Sequence, residues 1–191
     1  MPLQLDTTAL VVVDVQNGFV TADSAPVVPV IADLVRRWQA VNGQTIFTRY
    51  HNYPDSPYER LVGWYGLHEP KEVALVDELA PFVDHSRARA IDKTIYSMFT
   101  DEGKALLAEL AVSDLLICGI ATDGCVLKTA LDAFESDRYT PWVLADACAS
   151  NATRVPAQEV HRAALMLASR LIGAGQVIYS TDALAQVPVP A

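Results

Sequence analysis

Continuous apolar runs of strand length alternate along this chain with segments whose apolar residues recur at helical spacing. The first run, Ala9-Leu10-Val11-Val12-Val13, is rich in β-branched residues and ends at Asp14-Val15-Gln16. Such uninterrupted runs suit a parallel sheet covered on both faces. Residues 27–41 follow with Val30, Ile31, Leu34, Val35 and Trp38 on one helical stripe, and Asn42-Gly43 closes the helix. Residues 45–48 predict a second strand, which delivers Arg49, Tyr50 and His51 to the same sheet edge as Asp14. Residues 52–70 are rich in Pro, Gly, Tyr and Trp and read as a lid or binding loop. A short helix is expected over 72–79 and a third strand over 88–91, running into Asp92-Lys93.

The second half continues the pattern. Thr100 caps a predicted helix over 101–111, which has acidic residues in its first turn. Strands are expected at 114–119, at 141–145 with Asp146 at its end, and at 177–179. A helix from about Cys125 to about 136, another over 156–172, and a helical turn at 181–185 before a proline-containing tail complete the reading. The alternation predicts one α/β domain over 1–191, three layers deep, with a mostly parallel sheet of about six strands and right-handed crossovers.

Composition narrows the function classes. The chain has 191 residues, 51% of them hydrophobic and 19% charged, enough for a substantial core without staples. Fourteen basic against twenty-three acidic side chains give a formal charge of -9, with no basic stripe, which argues against a nucleic-acid partner. The three cysteines, Cys118, Cys125 and Cys148, are an odd number without framework spacing and point to a reducing compartment. The first residues lack the features of a signal peptide and no apolar run reaches the length of a membrane span. The expectation is a cytoplasmic protein without a membrane partner. Asp14-Val15-Gln16-Asn17-Gly18 is not a glycine-rich phosphate turn, and nothing matches a Walker sequence.

The chemistry concentrates at Leu115-Leu116-Ile117-Cys118-Gly119-Ile120-Ala121-Thr122-Asp123-Gly124-Cys125-Val126. An apolar strand stops, a Thr122-Asp123 pair suited to N-capping follows, and Cys125 falls in the first turn of the next helix. There the helix dipole favours a thiolate, and the N–H groups of Ala121 and Cys125 are available to a developing oxyanion. By position alone, a cysteine near a helix start is more often a buried residue that merely packs. Asp14 and Lys93 end two other strands, so the fold brings a carboxylate, an ammonium and a thiol to one edge.

Asp14-Val15-Gln16, Lys93 and Gly119-Ile120-Ala121-Thr122-Asp123-Gly124-Cys125-Val126 together resemble the isochorismatase-like cysteine hydrolase superfamily, which includes nicotinamidases, N-carbamoylsarcosine amidases and isochorismatases. The resemblance spans about residues 8–181. It implies a Rossmann-like α/β/α fold with sheet order 3-2-1-4-5-6, a triad of Asp14, Lys93 and Cys125, and an oxyanion hole from Ala121 and Cys125. It also implies a cis peptide between Ile120 and Ala121, and a homodimer or homotetramer. Because Cys125 is present, it points to cleavage of a C–N bond in a small amide or ureido substrate through a thioester. The alternatives are an enol-ether hydrolase using Asp14 as acid and a non-catalytic member.

Nicotinamidase-like members bind a metal through an Asp-x-His pair after the second strand. Here Arg49 stands in the Asp position, so no metal or other cofactor is expected despite His51 and His68. Arg49 instead suggests binding of a carboxylate or carbamoyl oxygen. Phe19, Tyr50 and Trp64 are candidates for the walls of a small pocket, and Gln16 and Thr122 for hydrogen bonds within it.

Overall fold

The computed structural model describes residues 3–186; the proline-containing tail, 187–191, lies outside the described residues. Six strands, β1 (Thr8–Val13), β2 (Gln44–Tyr50), β3 (Ala88–Lys93), β4 (Asp114–Ile120), β5 (Thr140–Ala149) and β6 (Val177–Ile178), form one sheet. Its order is β3-β2-β1-β4-β5-β6 and every pairing is parallel. The helices are α1 (Val28–Ala40), α2 (Pro70–Val73), α3 (Ala80–Val83), α4 (Asp101–Leu110), α5 (Leu127–Glu135), α6 (Ala157–Ile172) and α7 (Ser180–Ala185), which cover both faces.

The strongest apolar runs become the central strands for the reason the pattern implies. Ala9 to Val13 in β1 and Leu115 to Cys118 in β4 are fully buried, as strands covered above and below must be. Ile31, Leu34, Val35 and Trp38 of α1 pack into the same core. Trp38 satisfies its indole N–H on Gln44 O at 2.8 Å, and α1 ends with Asn42 in the left-handed region at φ 60°. The Thr100 hydroxyl accepts from Gly103 N at 3.0 Å and caps α4 as expected.

Winding reverses between β1 and β4, and in doubly wound sheets the carboxyl ends of two such strands part to leave a crevice. Two departures from the expected elements shape this region. Residues 72–79 are not one helix, because Leu75 pairs antiparallel with Gln16. Asn17 N donates to Ala74 O at 3.0 Å and Val76 N to Val15 O at 3.1 Å, so the backbone there ties down the loop after β1 instead of bonding to itself. β5 runs four residues past its expected end at 145, reaching Ala149 after a register shift beside Ile117 and Gly119. Asp146, expected to end that strand, lies inside it and accepts from Ser180 N and Oγ at 2.7 and 2.6 Å, holding the start of α7.

Gly119 sits opposite Val13 in the ladder with φ +125°, and a Cβ there would lie 2.1 Å from Val13 O. Both the conformation and the approach require glycine. Gly119→Ala is expected to lower stability by about 3 kcal/mol or more, read as a shift in the urea unfolding midpoint or as loss of folded protein.

Candidate active site

Three strand ends converge at the crevice. Asp14 follows β1 in the left-handed region at φ 49°, a conformation that Asp tolerates better than most residues. Lys93 ends the edge strand β3, two strands away from β1. With strands about 4.8 Å apart, only a long side chain closes that gap. Lys93 Nζ passes 5.4 Å from the centre of the Tyr50 ring and donates to Asp14 Oδ2 at 2.6 Å. Both side chains are fully buried. The remaining groups are satisfied: Asp14 Oδ1 accepts from Thr48 Oγ1 at 2.5 Å, and Nζ donates to Ile95 O and Tyr96 O at 3.0 Å each.

Cys125 reaches the pair from the far side. The peptide between Ile120 and Ala121 is cis, and a wide turn over Thr122–Val126 leads into α5. The Ala121 carbonyl accepts from Gly124 N and Val126 N at 3.0 and 3.2 Å, passing over the N–H of Cys125. The Cys125 thiol is close enough to Asp14 and Lys93 for both to act on its titration. Thr122 and Asp123 do not cap the helix; Ala121 stands at the cap position without a side-chain bond. Thr122 Oγ1 instead bonds His161 Nδ1 of α6 at 2.7 Å.

The electrostatics correct one expectation. Burial, reinforced by the Asp14 charge, holds the Cys125 thiol well above its usual range, and Lys93 only partly offsets this. The start of a helix therefore does not make a standing thiolate here, because desolvation of the anion is the larger effect. Burial alone would lower the Lys93 ammonium, but Asp14 and Cys125 together raise it. The resting site therefore favours the ammonium on Lys93 and the thiol on Cys125.

A cavity of about 450 Å³ opens over Cys125, with Ala121, Gly124 and Cys125 in its floor. Phe19 and Trp64 line it as a stacked pair, with ring centroids 5.3 Å apart at 11°. Tyr58 makes tilted ring contacts with both Trp64 and Tyr96, at 5.3 and 5.2 Å between centroids. Asn151, Arg154 and Val155 form the opposite wall. Asp14 and Lys93 are absent from the lining.

Of the residues proposed from sequence to bind substrate, Phe19 and Trp64 line the cavity. Tyr50 is buried beneath it, its ring against Phe19 and Tyr58. Gln16 has no capacity left for a ligand: its amide nitrogen donates to Tyr50 O and Val73 O at 3.0 and 2.7 Å, and its oxygen accepts from Tyr50 N at 2.7 Å. Thr122 turns to α6, as above. Arg49 is outside the cavity, bidentate on Asp92 at 2.7 and 3.0 Å.

Sequence reasoning missed Tyr58, Tyr96, Asn151 and Arg154. The last two follow β5, whose apolar Ala147-Cys148-Ala149 continuation beyond Asp146 was the signal that it reaches the crevice. The position of the expected metal pair does not fit a divalent ion: the Arg49 guanidinium occupies the Asp92 carboxylate, and His51 Nε2 lies 3.1 Å from Asp92 Oδ1 without hydrogen-bond alignment. His68 pairs with Glu59 at 2.8 Å. No cluster of three or more His, Cys, Asp or Glu side chains among the described residues is arranged for a metal.

Sheet order and crevice define a doubly wound α/β architecture with a buried acid–amine–thiol group at its topological switch point. The family model for the isochorismatase domain matches residues 8–177, and the chain belongs to that family. Stretches of it are 39% identical over 59 residues to isochorismatase domain-containing protein 2 of Xenopus laevis and 31% identical over 87 residues to isochorismatase family protein 2B of Dictyostelium discoideum. These matches span 28% and 40% of those proteins and 30% and 40% of this chain.

Solved structures show the same fold. A nicotinamidase from Bacillus subtilis superposes with a TM-score of 0.76 at 23% identity, covering 90% of this chain and 99% of that one. N-carbamoylsarcosine amidase from Thermoplasma acidophilum gives 0.76 at 24%, covering 91% and 96%. A cysteine hydrolase from Pseudomonas syringae pv. phaseolicola 1448A gives 0.81 at 23%, covering 97% and 94%. No helix among the described residues is long and apolar enough to cross a membrane.

Removing one partner of a buried ion pair strands the other charge. Lys93→Met is expected to lower stability by about 3–5 kcal/mol, measured by urea unfolding. The raised ammonium contributes fully below its ordinary value of 10.5 and loses that contribution only as pH climbs through its higher folded value. The wild-type advantage is therefore expected to persist throughout the neutral range. Thr48→Val removes only the hydroxyl from Asp14 Oδ1 and is expected to cost about 1 kcal/mol by the same measurement, with the fold retained.

Proposed function

We propose that this protein hydrolyses a C–N bond of a small amide or ureido compound through a Cys125 thioester. The observation that carries the reading is the division of the site: Cys125 opens onto the cavity, while Asp14 and Lys93 are sealed behind it. An enol-ether hydrolase that uses Asp14 as acid needs no thiol, and that reading leaves Cys125 on the cavity lining without a part to play. The Asp14 carboxyl group beside the thiol supports a base acting on it.

The chemistry follows from the geometry. Asp14 takes the Cys125 proton as the sulfur attacks the carbonyl carbon, and Lys93 holds the charge pattern while negative charge moves from carboxylate to sulfur. The N–H groups of Ala121 and Cys125 receive the oxyanion of the tetrahedral intermediate. Its collapse breaks the C–N bond, and the proton held by Asp14 leaves with the nitrogen as ammonia or amine. Water, deprotonated by Asp14, then attacks the thioester, and collapse returns the proton to sulfur with release of the acid. One amide and one water are consumed; one acid and one amine are formed. The nicotinamidase and carbamoylsarcosine amidase named among the structural relatives support a C–N bond as the target.

Ammonia release from a panel of small primary amides and ureido acids tests the reading. Cys125→Ala is expected to reduce turnover by at least about a thousandfold while circular dichroism and the urea midpoint report a retained fold. Turnover undiminished in the alanine variant would remove the thiolate mechanism.

A further inference from the structure

The cavity over Cys125 carries two charged side chains on its lining, Asp123 and Arg154. They are not equivalent. Asp123 has His161 of α6 as a neighbour: burial lowers that imidazole below its usual range, and the Asp123 charge partly offsets this. Arg154 has no carboxylate partner among the described residues, and of the arginines it is the one on this lining. The protein contact of the Arg154 guanidinium is one long hydrogen bond, Nη2 to Val62 O at 3.4 Å. Guanidinium offers five N–H donors, so most of its capacity is unfilled by protein groups among the described residues.

Its setting gives that capacity a direction. Arg154 follows Asn151, whose Nδ2 donates to Phe19 O at 3.2 Å, so the wall that carries it is fastened to the aromatic side of the cavity. Val62 belongs to the facing loop, and the guanidinium spans the opening between the two. Phe19, Trp64, Tyr58 and Tyr96 offer an apolar passage from there down to Cys125. The chain as a whole carries -9 and repels small anions at long range, so an unpaired cation at this mouth opposes the prevailing field.

We infer that the cavity selects a small amide whose end remote from the scissile carbonyl is a carboxylate, and that Arg154 is the specificity residue that reads it. This rests on the Cys125 reading above and names its substrate class. The planar fork of arginine suits a bidentate carboxylate. Arg49, the sequence-based candidate for this part, is already committed to Asp92.

Two measurements test the inference. The first compares kcat/KM for matched compounds with and without a terminal carboxylate, succinamate against butyramide and β-ureidopropionate against propylurea, in wild type and Arg154→Gln. The preference for the anionic member is expected to fall about 10- to 100-fold in the variant. The second needs no turnover: iodoacetamide alkylation of Cys125 is followed by intact-protein mass, with Cys125→Ala as the control, in the presence and absence of succinate. Succinate is expected to slow alkylation of wild type and not of Arg154→Gln. An unchanged preference in the variant overturns the assignment, as does failure of succinate to protect wild type or protection that survives the substitution. Arg154-dependent protection without hydrolysis of any compound supports the anion subsite and overturns the amidase reading alone.

Discussion

A carboxylate and an ammonium sealed from water, Asp14 and Lys93, set the terms for the rest of this molecule. A pair with no exposed surface is tolerable only when its geometry is close and its remaining hydrogen-bonding capacity is filled. The fold meets both conditions by committing three strands to it. β1 supplies the acid, β2 supplies the Thr48 hydroxyl and the Tyr50 ring, and β3 supplies the lysine and the two carbonyls beyond it. A slip of one residue in either pairing would turn Thr48 or Lys93 to the opposite face. The register of the left half of the sheet is thereby bound to the chemistry of the crevice.

The right half supplies what reacts and what surrounds it. β4 ends in the turn that carries Cys125, and β5 continues far enough to build the wall opposite the aromatic side chains. The loop between β2 and α2 is held by its own bonds, Ser56 Oγ to Asn52 Oδ1 at 2.6 Å and Asn52 Nδ2 to Gly66 O at 3.1 Å, so Tyr58 and Trp64 stand on an ordered segment. Reactive group and binding walls thus come from different elements. Loop variation can retune the cavity in such a fold without disturbing the buried pair.

The fold and the meeting of Asp14, Lys93 and Cys125 at one sheet edge were legible because each lies at or just beyond the stop of an apolar run, and that signal needs no knowledge of tertiary contacts. The substrate wall was not. Asp146 reads as the end of a strand, yet the strand continues because its carboxylate finds Ser180 and so bears partial burial. Arg49 reads as a cavity residue because it follows the second strand, yet β2 runs through it. Neighbours on a strand face opposite ways: Tyr50 pairs in register with Lys93 on the face of the buried pair, and Arg49 with Asp92 on the other. Helix-forming residues at 72–79 likewise lost to hydrogen bonds with the loop after β1, which are long-range and leave no periodic trace. The protonation of Cys125 depends on how deeply it is buried, which local position cannot report.

The depth of that thiol has a bearing on the protein between encounters with its ligand. A standing thiolate is what oxidants and stray electrophiles attack, and sensitivity to them follows thiolate character and access. Cys125 is held as a thiol behind a narrow aromatic entrance, and Cys118 and Cys148 are held as buried thiols of the same kind. As the proposed nucleophile, Cys125 is brought out only by a bound carbonyl and the base behind it, and this chain keeps all three of its thiols chemically quiet at rest.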